Sequence, residues 1–306
     1  MCMYQERPVL NGLHWVSVVD PTHEDVQKLR NKFDLTYRFQ SYVQDPRERS
    51  RFDYNEQTEV GMLIWQVIIR DESVRTYHVV PVSFIVTADT LISAVPKRAQ
   101  HVNEELQDLF TKKSKQQQSV ITILLRLLWR LNDQYMDQVD DINVMREKLA
   151  NYRKNPTNKQ IEALASLSNQ LVHLTTATDN NVMAIKQMKL SGDADSDELS
   201  LDKRERDLVA DVEIETNQSQ QITQDTADLV ERLSNTYNNI LNNSLNDTMR
   251  FLTVWSLILA VPPIISGFYG MNMHLPLAVG TWAWVGTLVM TAVLIFAVVW
   301  LVYKRK

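Results

Sequence analysis

Residues 251–272 read FLTVWSLILAVPPIISGFYGMN, and residues 282–303 read WAWVGTLVMTAVLIFAVVWLVY. Neither stretch holds a Lys, Arg, Asp or Glu, and nor does the connection between them. About 20 apolar residues carry a helix across a bilayer, so residues 251–270 and 282–303 predict two transmembrane helices. A charge-free pair this long does not fit inside the core of a 306-residue chain. Arg250 precedes the first span, and Lys304, Arg305 and Lys306 follow the second. The loop at 271–281 carries only His274 as a titratable side chain. Basic flanks stay in the cytoplasm, which predicts a cell-membrane protein crossing twice, with both termini inside and the short loop outside.

Working outward, residues 1–250 are polar and charged, so a mean hydropathy of -0.25 hides two populations. The first residues lack the apolar centre of a signal peptide. The single cysteine, Cys2, forbids an internal disulfide, which suits a cytosolic N-terminal part. A net charge of -5, without a Lys/Arg block interleaved with aromatics, argues against nucleic acid as a partner. Enzyme signatures are missing too. The six histidines are scattered, and no His-Glu-x-x-His, Gly-rich phosphate loop or Gly-x-Ser-x-Gly elbow occurs.

Residues 1–98 read as a small α/β domain. Strand-like runs recur at 15–19, 62–65, 77–80, 83–86 and 91–95. Thr22 followed by Asp25 predicts a helix start, with Val26, Leu29 and Phe33 on one face. Residues 88–90 predict a turn between paired strands. Over 99–195 the apolar period becomes helical and predicts an antiparallel helical pair, broken at Asn155-Pro156 and ended by Ser191-Gly192. A stalk helix at 196–250, opening near Ser196, continues without Pro or Gly into the first span. At 1.5 Å per residue such a helix reaches roughly 100 Å. Its part from 217 to 246 is rich in Asn, Gln, Ser and Thr, which predicts a helix shared between subunits with one face on a wet axis.

Tyr269-Gly270-Met271-Asn272 closes the first of the two C-terminal spans. A Gly-Met-Asn at the outer mouth of that span resembles the CorA family of divalent-cation channels. The resemblance implies a funnel-shaped homopentamer in the lipid bilayer, its pore lined by the first span. It also implies Mg²⁺ as both transported and regulatory ion, with no organic cofactor. Gly270, Met271 and Asn272 then form the selectivity filter. Mg²⁺ is small and gives up its water reluctantly, so neutral oxygens such as the Asn272 carbonyl suit contact with the hydrated ion. Gly270 allows the sharp turn that ends the helix.

Asn246, Met249, Leu252, Ser256, Ala260, Pro263 and Gly267 recur at 3-and-4 spacing and make the candidate pore face. Met249 and Leu252 are the apolar constrictions expected to gate by dewetting. Pro262-Pro263 either bends the pore helix or serves packing. Relatives bind a regulatory Mg²⁺ between an N-terminal-domain Asp and a stalk Asp of the next subunit. Counting back from the motif places Asp211 at the stalk position, with Asp207 one turn earlier and Asp89 as the partner. The acidic run 193–198 has an EF-hand flavour, but Glu198 stands where that loop needs Gly and Arg204 where it needs Glu. It reads as a helix-start linker.

The outer loop departs from the family by lacking acidic residues. His274 suits Zn²⁺, Co²⁺ or Ni²⁺ better than Mg²⁺, and a zinc-transporting branch shares the Gly-Met-Asn. A proton-coupled transporter of those ions is therefore the second reading. A non-conducting membrane scaffold is the third.

Overall fold

The computed structural model describes residues 3–8, 12–71, 76–111, 119–150, 155–192, 199–271 and 282–304. The chain divides into two compact units, Met1–Tyr152 with Thr157–Ser234, and Arg153–Pro156 with Asn235–Lys306.

The first unit holds a six-stranded sheet: β1 (Met3–Pro8), β2 (His14–Val19), β3 (Arg51–Asn55), β4 (Val60–Asp71), β5 (Thr76–Val86) and β6 (Thr90–Val95). Its order is β1-β2-β6-β5-β4-β3. β2 and β6 run parallel and the other neighbours antiparallel. The two-residue side-chain period of a strand sorts the apolar residues onto two faces. Val16, Val18, Ile64, Ile85 and Ile92 pack with α1 (His23–Phe33) and α2 (Tyr37–Gln44). Trp15, Leu63, Trp65, Phe84 and Leu91 face the longer helices on the other side.

The start of α1 is as the sequence predicts. The Thr22 hydroxyl accepts from the Asp25 backbone N–H at 3.3 Å, and Asp25 accepts from the Thr22 N–H at 3.0 Å. Val26 and Leu29 are buried. The turn at 88–90 joins β5 and β6, which pair Val86 with Leu91.

The runs at 77–80 and 83–86 are one strand rather than two, passing through Pro81. Of β5, only Ser83–Val86 pairs with β6, so Pro81 lies where β5 has β4 alone beside it. Such an edge position tolerates a missing N–H. β1, β3 and α2 had no apolar run to announce them.

The helices covering the second face are α3 (His101–Thr111), α4 (Val120–Ala150), α5 (Asn158–Ser191) and the first part of α6 (Lys203–Tyr269). Among the described residues three helices thus occupy 99–195, where a pair was expected. The stalk also begins at Lys203, not near Ser196. Asp202 accepts from the Glu205 N–H at 2.7 Å, and Glu205 accepts from the Asp202 N–H at 2.9 Å. That reciprocal cap fixes the start. The acidic run 193–198 lies outside the described residues.

The polar stretch of α6 is not simply reserved for a subunit axis. Glu205, Val209, Val212, Thr216, Ser219, Thr223, Thr226 and Val230 follow a strict 4-and-3 spacing and are buried within the chain. Their hydroxyls are satisfied locally. Thr216 donates to the Val212 carbonyl at 2.6 Å and Thr223 to that of Ser219 at 2.7 Å. From α4, the Asn132 amide donates to Thr216 at 2.8 Å and the Asn143 amide to Thr226 at 3.0 Å. A hydroxyl whose bonds are all made can sit in a helix seam at little cost.

In the second unit α6 runs on unbroken through Pro262-Pro263 to Tyr269, and α7 spans Ala283–Lys304. Among the described residues these two helices are long and apolar enough to cross a membrane, and almost none of that surface is buried within the chain.

Candidate pore helix and cation sites

At about 100° per residue, the end of α6 has two distinct faces. Val254, Ile258, Val261 and Tyr269 are half-buried and Ile265 is buried, which defines one side. Met249, Leu252, Ser256, Ala260, Pro263 and Gly267 are all exposed. Their mean direction lies about 180° from the covered side. Asn246 is also exposed but sits about 80° round from the centre of that face. On α7 four of the half-buried positions, Thr287, Thr291, Ile295 and Val298, share one side, while Val285 lies about 120° round from Thr291. Thr287 and Thr291 turn their hydroxyls onto the Trp284 and Thr287 carbonyls at 2.8 and 2.7 Å, hiding their polarity.

Pro262 and Pro263 have no N–H, so the Ile258 and Leu259 carbonyls lose their helical donors. The Ser266 hydroxyl donates to the Pro263 carbonyl at 3.2 Å. A Cβ added at Gly267 would meet nothing within 4 Å.

The helix closes where the Gly270 N–H donates to the Ser266 carbonyl at 2.9 Å. Met271 follows, exposed, its N–H 3.5 Å from the Phe268 carbonyl. Gly270 is not in a left-handed conformation, since Gly12 is the described glycine with positive φ. A Cβ at 270 would lie 3.1 Å from the Ser266 carbonyl oxygen. Asn272 and His274 lie outside the described residues.

Asp207 and Asp211 lie exposed on α6, one turn apart. Asp89 is exposed in the β5–β6 turn, and its carboxylate accepts from the Thr90 hydroxyl at 2.8 Å and from Thr87 at 3.3 Å. Among the described residues no group of three or more His, Cys, Asp or Glu side chains is placed to hold a metal. The buried hydroxyl ladder on α6 escaped the sequence reading, although its 4-and-3 spacing, continuous with Val209, Val212 and Val230, was the available signal.

The family model for CorA-like Mg²⁺ transporter proteins matches residues 11–305. The chain belongs to the CorA family. It is a divalent-cation transporter with two candidate membrane helices, and the family transports Mg²⁺. Among solved structures, the complete CorA magnesium transporter of Methanocaldococcus jannaschii superposes with a TM-score of 0.76 at 20% identity, over 95% of this chain and 90% of that one. The full-length CmaX protein gives 0.72 at 15% identity, over 96% and 88%. The ZntB cytoplasmic domain of Vibrio parahaemolyticus gives 0.55 at 12% identity, over 81% and 99%. At these identities the likeness is one of fold. No curated protein sequence matches the chain.

Proposed function

We propose that the protein is a homopentameric Mg²⁺ channel, its pore lined by the exposed face of α6 and filtered by Gly270, Met271 and Asn272. The observation that carries this reading is the opposition of faces on α6. One side is covered within the chain, and the other presents small or apolar residues with nothing against them. Two spans cannot enclose a pore, so that face needs copies of itself around an axis. Ser256, Ala260 and Gly267 keep the bore open, while Met249 and Leu252 narrow it near the cytosolic end and close it by dewetting. Residues 1–250 stand in the cytosol with both termini, and the loop 271–281 faces outward.

The filter works on the hydrated ion. Stripping a Mg²⁺ of its water costs too much for rapid passage, whereas the Asn272 carbonyl and the backbone carbonyls at Gly270 receive the hydration shell without a fixed charge. A divalent ion gains roughly 4.6 kcal/mol per 100 mV of inside-negative potential, which drives influx without a chemical step by the protein. Cytosolic Mg²⁺ closes the channel by bridging Asp211, with Asp207 nearby, to Asp89 of a neighbouring copy.

The second reading, a Zn²⁺, Co²⁺ or Ni²⁺ transporter with proton coupling, rests on His274, which follows the motif by two residues and suits those ions. The ZntB likeness in fold is compatible with it.

The filter assignment is tested by Asn272→Ala. In a variant that still assembles, Mg²⁺ flux falls steeply. Undiminished flux removes Asn272 from the filter.

A further inference from the structure

The first unit carries a cavity of about 470 Å³ that neither the pore nor the regulatory aspartates use. It opens where the parallel neighbours β2 and β6 end, with Asp20 just beyond β2 and Pro96 just beyond β6. The volume falls in the usual range for small-molecule sites, about 300–1,000 Å³. The end of α2 and the residues after it, Tyr42 to Pro46, supply the opposite wall.

The lining selects for charge. Two carboxylates, Asp20 and Asp45, border the cavity, and among the described residues no Lys, Arg or His does. Each is held by a backbone N–H on one oxygen. Lys97 donates to Asp20 Oδ1 at 2.6 Å, and Arg47 donates to Asp45 Oδ1 at 2.8 Å. Asp20 is further fixed in the left-handed region at φ 49°. The last turn of α2 has no basic residue, so its terminal carbonyls add to the negative field. The nearby Arg51 is engaged elsewhere. Its guanidinium lies over the Tyr42 ring at 4.7 Å, donates to the Tyr42 hydroxyl at 3.1 Å and pairs with Glu48 at 3.0 Å.

Four prolines, at 21, 46, 81 and 96, complete much of the wall. Proline has no backbone N–H, so these four positions offer no backbone donor to an anion. They are also apolar, which disfavours a hydrated metal ion that needs oxygen on all sides.

We propose that this cavity binds an aliphatic amine in its ammonium form. The cationic ends lie against Asp20 and Asp45, and the methylene chain lies along the prolines and Val43. The site belongs to the cytosolic unit and is independent of which ion the pore carries.

The test is isothermal titration of the full chain in detergent micelles with 1,5-diaminopentane, against 1,5-pentanediol at constant ionic strength. Asn tolerates the left-handed region and keeps the acceptor oxygen, so Asp20→Asn and Asp45→Asn remove charge without removing the fold, as equal thermal transitions confirm. The diamine binds saturably at one site and the diol does not. Each substitution weakens binding about fivefold, as for a solvent-accessible ion pair, and the two together about 25-fold. No saturable binding, equal binding of the diol, unchanged affinity in both variants, or stoichiometric displacement of the diamine by Mg²⁺ would each overturn the proposal.

Discussion

Replacing Thr216 by Val tests how the stalk is held to the body of the first unit. Thr216 and Asn132 are each 1% exposed, and the Asn132 amide donates to the Thr216 hydroxyl at 2.8 Å. Valine has nearly the shape of threonine, so no cavity opens, and the two have similar helix propensity. The Val212 carbonyl loses one of its two donors but keeps its helical N–H. What remains is a buried amide N–H without an acceptor, a cost of about 1–3 kcal/mol. The gained methyl offsets part of this, leaving a net loss of about 1–2 kcal/mol. For a unit of this size about 1 kcal/mol moves the transition by roughly 2–4 °C. Thr216→Val should therefore lower the thermal midpoint of the detergent-solubilised protein by about 2–8 °C, followed by circular dichroism at 222 nm. Asn132→Leu removes the donor, and the double variant removes both partners together. The double variant should recover most of the loss, giving a coupling of about 1–2 kcal/mol. If Thr216→Val is neutral and the two substitutions simply add, the amide–hydroxyl pair contributes nothing to holding α6.

Other expectations follow from single positions. His101 opens α3, and burial holds its pKa below the ordinary 6.5 despite the opposing pull of Glu104 and Glu105. The unfolded chain then takes up a proton that the folded chain refuses. Stability is full above pH 6.5 and falls as pH drops through that value toward the lowered pKa. His101→Gln should flatten the fall in thermal midpoint between about pH 7 and about pH 5. A Cβ at 267 meets nothing within 4 Å, so Gly267→Ala should leave the thermal midpoint unchanged while the bulkier Gly267→Leu lowers Mg²⁺ flux severalfold, and unchanged flux would take Gly267 off the pore face. Asp211→Ala should weaken inhibition by internal Mg²⁺ at least severalfold, and unchanged inhibition would make Asp211 an ordinary solvated carboxylate.

What could be read from the sequence was what a local pattern enforces. The Thr22–Asp25 cap, the apolar runs of β2, β4 and β6, and the two long charge-free spans each carry their own signal. β1 and β3 did not, because edge strands mix polar and apolar residues freely. α2 is only eight residues long, too short for periodicity to stand out. The stalk start was misplaced because the acidic run at 193–198 looked like a helix first turn, whereas Asp202 and Glu205 make the cap. The buried face of α6 was read as a wet surface because hydroxyl groups score as polar. Their carbonyl acceptors lie within the same helix and their amide donors come from α4, about 80 positions away. On the candidate pore, spacing alone picked out the residues opposite the covered side, except that Asn246 drifts round after repeated steps of three. The N-terminal domain carries no motif that sets a register against the family, which is why Asp89 had none to fix it.

The central claim, a Mg²⁺ channel driven by voltage, is tested most directly by ion uptake into proteoliposomes, Mg²⁺ against Zn²⁺, with and without a pH gradient. The account predicts Mg²⁺ entry under an inside-negative potential alone, indifferent to the pH gradient. Zn²⁺ entry that requires the proton gradient, with no Mg²⁺ entry under voltage, would contradict it and turn attention to His274.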